Sequence, residues 1–212
     1  MAIVSESREV RDFDEVLMEG HGEIFLEQGD HEALIVEADE GLLPKIRSEV
    51  RGRRLTLGLM HWWDHLLPPW GPIRYRLTMK QVKGVSLSGA GALTATQIRT
   101  DTCQLKMSGS GRMAFGGLEA TAAEVGISGS GKVEASGEVQ RLGISISGSG
   151  NIDALDLASQ VAEIRISGSG SIRVNVQQNL DVRISGSGSV KYRGQPQISQ
   201  SISGSGSVKS VG

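Results

Sequence analysis

A single cysteine, Cys103, excludes an intrachain disulfide, so no disulfide framework holds this fold and cysteine usage leaves the compartment open. Aromatic residues make up only 4% of the 212 residues. Apolar residues make up 38%, below the roughly 45–50% of ordinary globular domains, so a conventional bulky core is excluded. No stretch is apolar over 18 residues, which excludes a membrane-spanning helix. Charge of one sign is also missing. The 22 basic and 24 acidic residues are interspersed, and without a basic stripe a nucleic-acid partner is not expected. The opening Met1-Ala2-Ile3-Val4-Ser5-Glu6 becomes charged too early to read as a signal peptide.

What the chain does have is glycine, 29 residues of it, placed with a period. The segment Leu87-Ser88-Gly89-Ala90-Gly91 recurs with its leading apolar residue at Met107, Ile127, Ile146, Ile166, Ile184 and Ile202, at spacings of 18 to 20. The glycine pairs are Gly89 and Gly91, Gly109 and Gly111, Gly129 and Gly131, Gly148 and Gly150, Gly168 and Gly170, Gly186 and Gly188, and Gly204 and Gly206. A flexible glycine-serine linker would share this composition but would carry no apolar columns. Here there are three. One lies two residues before each leading position: Val85, Leu105, Val125, Ile144, Ile164 and Val182, interrupted only by Gln200. The leading residues form the second. The third lies two residues after each second glycine: Leu93, Met113, Val133, Ile152, Ile172, Val190 and Val208. A weaker mid-repeat set includes Ile98, Leu118, Leu142, Leu157 and Leu180.

Spacing of two is strand periodicity. One such unit cannot bury its apolar face alone, whereas stacked units bury a continuous core. At about 4.8 Å per rung, seven rungs make a column of about 34 Å. The expected fold is therefore an all-β parallel β-helix of 18–20-residue rungs. The glycines read as structural turn residues, because a sharp corner repeated in register needs positive φ or close backbone approach. The serine before each first glycine (88, 108, 128, 147, 167, 185 and 203) would form a vertical ladder. The variable residues Ala92, Arg112, Lys132, Asn151, Ser171, Ser189 and Ser207 read as a solvent-facing column.

The chain divides into an irregular part, 1–82, and the regular repeats, 83–212, expected to be one continuous unit. Met18-Glu19-Gly20-His21-Gly22-Glu23-Ile24 reads as a degenerate eighth copy of the corner. Strand alternation recurs at Ile24–Leu26, Ala33–Glu37, Leu55–Leu59 and Arg74–Met79, with turns at Gly29, Gly41 and Gly52. These predict opening rungs with one or two hairpins capping the end, since an open rung exposes unpaired strand edges. At the other end, Pro196 and the polar Gln195–Gln200 stretch discourage further pairing. Leu59–Pro72 holds all three tryptophans and three of five prolines. It reads as a loop that is either an apolar plug on the core or, through Trp62, Trp63 and Trp70, a contact for a partner.

Several motifs bear on chemistry. Gly126 to Lys132 matches most of a phosphate-binding loop, but Val133 stands where Ser or Thr should follow, and strand pattern continues where a helix should begin. The corners carry serine and no carboxylate column, which argues against calcium. His61 and His65 are spaced to share a helical face, a weak metal candidate, but Trp62 replaces the glutamate a metalloprotease needs and no third ligand is evident. The carboxylates Glu134, Asp153, Asp156 and Glu163 are scattered. The four histidines (21, 31, 61, 65) lie outside the regular repeats. No catalytic grouping and no cofactor site stands out. Ice binding would call for threonine rows in place of serine.

The repeated Ile-Ser-Gly-Ser-Gly units, Phe13-Asp14-Glu15-Val16, the Gly20–Gly22 turn, Gln28-Gly29-Asp30 and Val50–Leu57 together resemble the bacterial head GIN family, over nearly the whole chain. The resemblance implies a right-handed parallel β-helix, an adhesin-like role, and export to the periplasm or cell surface. It brings no catalytic residues. The chain departs from the family pattern in lacking a signal or lipid-attachment cysteine. The sequence thus points to a non-catalytic structural or interaction module of the cell envelope, with a glycan or cell-surface protein as partner. The alternatives are a self-assembling homo-oligomeric scaffold and a glycan-binding or glycan-active β-helix.

Overall fold

The structure, a computed structural model, describes residues 2–60 and 71–211. Among these residues, seven short strands make the N-terminal part: β1 (Ile3–Arg8), β2 (Glu15–Gly20), β3 (Glu23–Gln28), β4 (Ala33–Asp39), β5 (Ile46–Arg51), β6 (Arg54–Leu59) and β7 (Arg74–Met79). The repeats follow as β8 (Gly84–Gly89), β9 (Ala92–Ala95), β10 (Ile98–Gly109), β11 (Arg112–Gly129), β12 (Lys132–Gly148), β13 (Asn151–Gly168), β14 (Ser171–Gly186), β15 (Ser189–Arg193), β16 (Gln197–Gly204) and β17 (Ser207–Ser210). All seventeen join one sheet, wound into a parallel β-solenoid of about six turns.

Register follows the repeat. Leu105 pairs with Val85 and Val125, and Met107 pairs with Leu87 and Ile127. The same pairing carries through Ile146, Ile166, Ile184 and Ile202. The three apolar columns therefore stack inward on themselves and are buried from the opening rungs to Val190. The mid-repeat set splits in two. Ile98 and Leu118 pair with each other and lead through Gly137 to Leu157. Leu142 and Leu180 belong instead to a column with Cys103, Ala123 and Ala162. Strands are also longer than the sequence suggests. β11 runs unbroken for 18 residues, because ladder pairing continues through bends that side-chain alternation alone reads as breaks.

Both glycines of a corner have a physical reason. The first glycines have φ between 115° and 126°. A Cβ on any of them would lie 2.3–2.6 Å from the carbonyl oxygen of the glycine one rung away. The second glycine makes room for the core. A Cβ at Gly150 would stand 2.6 Å from Ile127 Cγ2, the leading apolar side chain of the preceding rung. Hydrogen bonds pass through the corner without a gap: the Ser130 N–H donates to the Gly109 carbonyl at 2.9 Å, and the Lys132 N–H donates to that of Gly111 at 3.0 Å.

The N-terminal part is threaded out of chain order. β2 pairs in parallel with both β6 and β8, and β3 with both β7 and β9. The degenerate corner at Gly20–Gly22 thus lies directly against the Gly89–Gly91 corner, with the rung formed by 54–59 and 74–79 outside it. That outer rung is closed by antiparallel strands. β5 pairs with β6, β4 with β7, and β1 with β4. This change of strand direction is the cap. No further rung can continue the parallel stack over it, and its own edge is short.

Asp14 ties the layers together. Its side chain is buried and accepts hydrogen bonds from Arg53 Nε at 2.8 Å and Lys83 Nζ at 2.9 Å, while its carbonyl accepts from the Lys83 N–H at 2.8 Å. Arg53 precedes the outer rung and Lys83 precedes β8, so one carboxylate spans three layers. Gln28 makes a second clasp: its amide nitrogen donates to the carbonyls of Lys80 and Arg99, and its oxygen accepts from the Arg99 N–H at 2.7 Å.

Candidate surface groove

Outward-facing residues of β2, β8, β10, β11, β12, β13, β14 and β16, together with the buried leading residues Leu87, Met107, Ile127, Ile146, Ile166 and Ile184 between them, line a groove of about 890 Å³ that runs across the rungs. One of its columns is the serine ladder. Ser88, Ser108, Ser128, Ser147, Ser167, Ser185 and Ser203 are exposed and paired rung to rung. In-register strands therefore present one hydroxyl about every 4.8 Å along the axis. The neighbouring column reads Leu17, Ser86, Lys106, Gly126, Ser145, Arg165, Arg183 and Ser201, so Gly126 and Ser145 form a low floor between Lys106 and Arg165.

The charged residues lining this groove are Lys106, Arg165 and Arg183, all cationic. Glu163 and Asp181 stand one column away. Glu163 pairs with Arg165 and accepts from Arg183 Nη1 at 2.8 Å, and Asp181 accepts from Arg183 Nη2 at 2.8 Å. Glu124 occupies the same outer column and lies over Gly143, where an added Cβ would stand 2.2 Å from its Oε2. Lys106 has no ion-pair partner among the described residues.

A second depression of about 880 Å³ lies on the mid-repeat face. Three of its polar residues are already engaged: Gln28 with the backbone as above, Arg99 with Glu119 at 2.8 Å, and Lys83 with Asp14. A small depression brings Glu134, Asp153 and Asp156 together. Glu134 is bound by Lys132 and Arg112, and its carboxyl is held below the ordinary range chiefly by the Lys132 hydrogen bond. Asp153 is bound by Arg173 at 2.9 Å. Among the described residues no group of histidines, cysteines and carboxylates is arranged to hold a metal.

The segment from Gly126 to Lys132 is strand, corner and strand, with β12 where a phosphate-binding loop needs a helix. Two buried titratable groups serve packing. Burial pushes the Cys103 thiol up to about 12, which keeps it protonated and unreactive. Burial also raises the Tyr75 hydroxyl, against a smaller opposing effect of Arg8. His61, His65, Trp62, Trp63 and Trp70 lie outside the described residues. The groove has a sequence signal, the serine ladder beside Lys106, Arg165 and Arg183, that reads as ordinary solvent-facing polarity until the strands are stacked.

The family described as "Putative auto-transporter adhesin, head GIN domain" matches residues 12–196. The chain belongs to the head GIN family. Its fold is that of a "putative adhesin" of Bacteroides fragilis, with a TM-score of 0.93 and 24% identity over 99% of this chain and 97% of that one. A "putative adhesin" of Parabacteroides distasonis is 25% identical with a TM-score of 0.79, over 99% and 97% of the two chains. A "putative lipid binding protein" of the same species is 27% identical with a TM-score of 0.78, over 99% and 97%. No curated protein matches the sequence. Family membership supports an adhesin-like role at the cell surface or envelope, and among the described residues no helix is long and apolar enough to cross a membrane.

Proposed function

We propose that this head GIN protein is a non-catalytic, adhesin-like binding module of the periplasm or cell surface that holds an extended polymer along the serine-lined groove. The observation that carries this reading is the ladder itself. One exposed hydroxyl per rung, repeated in register along a straight groove, matches a ligand that repeats along its length better than a compact metabolite. The non-catalytic part is supported by the carboxylates: Glu134, Asp153 and Glu163 are each engaged by cations on solvent-facing columns.

Binding of the full chain to an array of cell-surface glycans, compared with a Ser145→Trp variant, tests the proposal. The substituted side chain points outward from the groove floor, so the fold is expected to hold while an indole fills the groove. Loss of capture with an unchanged melting temperature supports the reading. Equal capture by both proteins removes the groove as the binding surface. Trp62, Trp63 and Trp70 stay a proposed second contact for the same partner. Self-association is a second reading, favoured by Ile198 and Ile202, which are 42% and 38% exposed on β16. Light scattering checks it, and a monomer at high concentration sinks it.

A further inference from the structure

We propose that the polymer held in the groove is a linear acidic polysaccharide, one carrying carboxylate groups along the chain; this rests on the groove being the binding surface. Two features of the lining specify the class. The first is charge. Lys106, Arg165 and Arg183 are the charged residues facing the groove, while the acids that balance the two arginines sit a column away, outside it. The groove lining itself therefore carries cations and no acid, and Lys106 is left without an ion-pair partner among the described residues. Arg165 and Arg183 are stacked in register, one rung apart, and their like charges are tolerated because Glu163 bridges both. A ligand carboxylate approaching from the groove side meets guanidinium and ammonium groups whose outer edges are exposed.

The second feature is the match of period. Rungs repeat at about 4.8 Å, which is close to the length of one pyranose residue in an extended chain. A sugar polymer can therefore keep successive hydroxyls within reach of successive serines over several rungs. An extended peptide along this axis gains less. The β-strand backbone beneath is already paired rung to rung, so it offers no free row of donors and acceptors to an added strand. Lys106 and Arg165 are three rungs apart with Gly126 and Ser145 between them, a low floor that lets a flat sugar ring approach the sheet.

Calorimetric titration of the full chain with polygalacturonate oligomers tests the proposal, against the same oligomers with their carboxyl groups reduced, a neutral β-glucan, and phosphatidylglycerol vesicles. Binding to polygalacturonate is expected to weaken with salt, to fall about tenfold with either Lys106→Ala or Arg165→Ala, and to vanish with Ser145→Trp. The reduced oligomers should bind at least about tenfold less tightly. Equal binding of acidic and neutral polymers, or no effect of the two alanine variants, overturns the acidic specificity while loss in Ser145→Trp still upholds the groove. Binding of vesicles in place of polygalacturonate through the same residues assigns the cations to a lipid headgroup and overturns the proposal. Glycan binding that survives Ser145→Trp overturns both readings.

Discussion

At the residue scale, Asp14 shows how one side chain carries weight that its sequence context does not announce. Its Phe13-Asp14-Glu15 run contributes to the family resemblance without indicating any partner, yet Asp14 is almost fully buried and held by Arg53 and Lys83 from two other layers. Burial works to raise its carboxyl, but the hydrogen bonds and charges of Lys83 and Arg53 outweigh that and hold it below its ordinary value of 3.8. A group lowered in the folded state stabilises above its unfolded value and loses that contribution as pH falls through the folded one. Asp14→Asn should therefore cost about 2 kcal/mol near neutrality. The gap from the parent protein should stay constant down to about pH 4 and close below it. Urea denaturation of both proteins across that range checks the sign; a gap that widens on acidification contradicts it.

At the element scale, the corner is the unit that makes stacking possible. Its first glycine needs φ near 120° and also needs the absence of a Cβ, since the neighbouring rung's glycine carbonyl occupies that space. These two demands add. Gly129→Ala should cost about 3 kcal/mol or more, combining left-handed strain with a 2.5 Å contact against Gly109 O. Gly52, in the β5–β6 hairpin turn, has φ 61° but nothing within 4 Å of an added Cβ. Gly52→Ala should cost only about 1 kcal/mol. Denaturant midpoints of the two variants separate conformational strain from the clash; equal losses would mean that close approach between rungs contributes nothing.

At the scale of the whole molecule, the chain does not build its rungs in sequence order. β2 and β3 form a rung inserted between the one made by β6 and β7 and the one made by β8 and β9, so the regular repeats rest on β2 and β3 rather than beginning on their own. We propose that 1–82 and 83–212 fold as one cooperative unit. A chain beginning at Lys83 would expose Val85, Leu87 and Leu93 together with the unpaired edges of β8 and β9. It should fail to give a stable monomer, while the full chain shows a single thermal transition. Light scattering and calorimetry decide it, and a monomeric 83–212 with an unchanged melting temperature would make residue 82 a true boundary.

The solenoid was legible in the sequence because inward and outward alternation is a local property. Val85, Leu87 and Leu93 announce their three columns by spacing alone, and Gly89 announces the corner because no other residue tolerates that backbone at that density of packing. The same pattern shows Met18 to Ile24 as a displaced corner, and Ile24, Ala33, Leu55 and Arg74 as strand segments. β1 and β5 carry only weak alternation, because β1 buries no side chain and β5 buries only Ile46. The serine ladder could be read residue by residue, but the groove could not: it exists only where eight separate strands stack with their cations on one side and the balancing acids one column over. Strand direction and order were likewise decided by the tertiary structure. Backbone hydrogen bonds pair any extended edge with any other, so nothing in the side chains of β2 states that its neighbours are β6 and β8, or that β4 must run antiparallel to β7. What selects them is the requirement that every apolar column find a covered end.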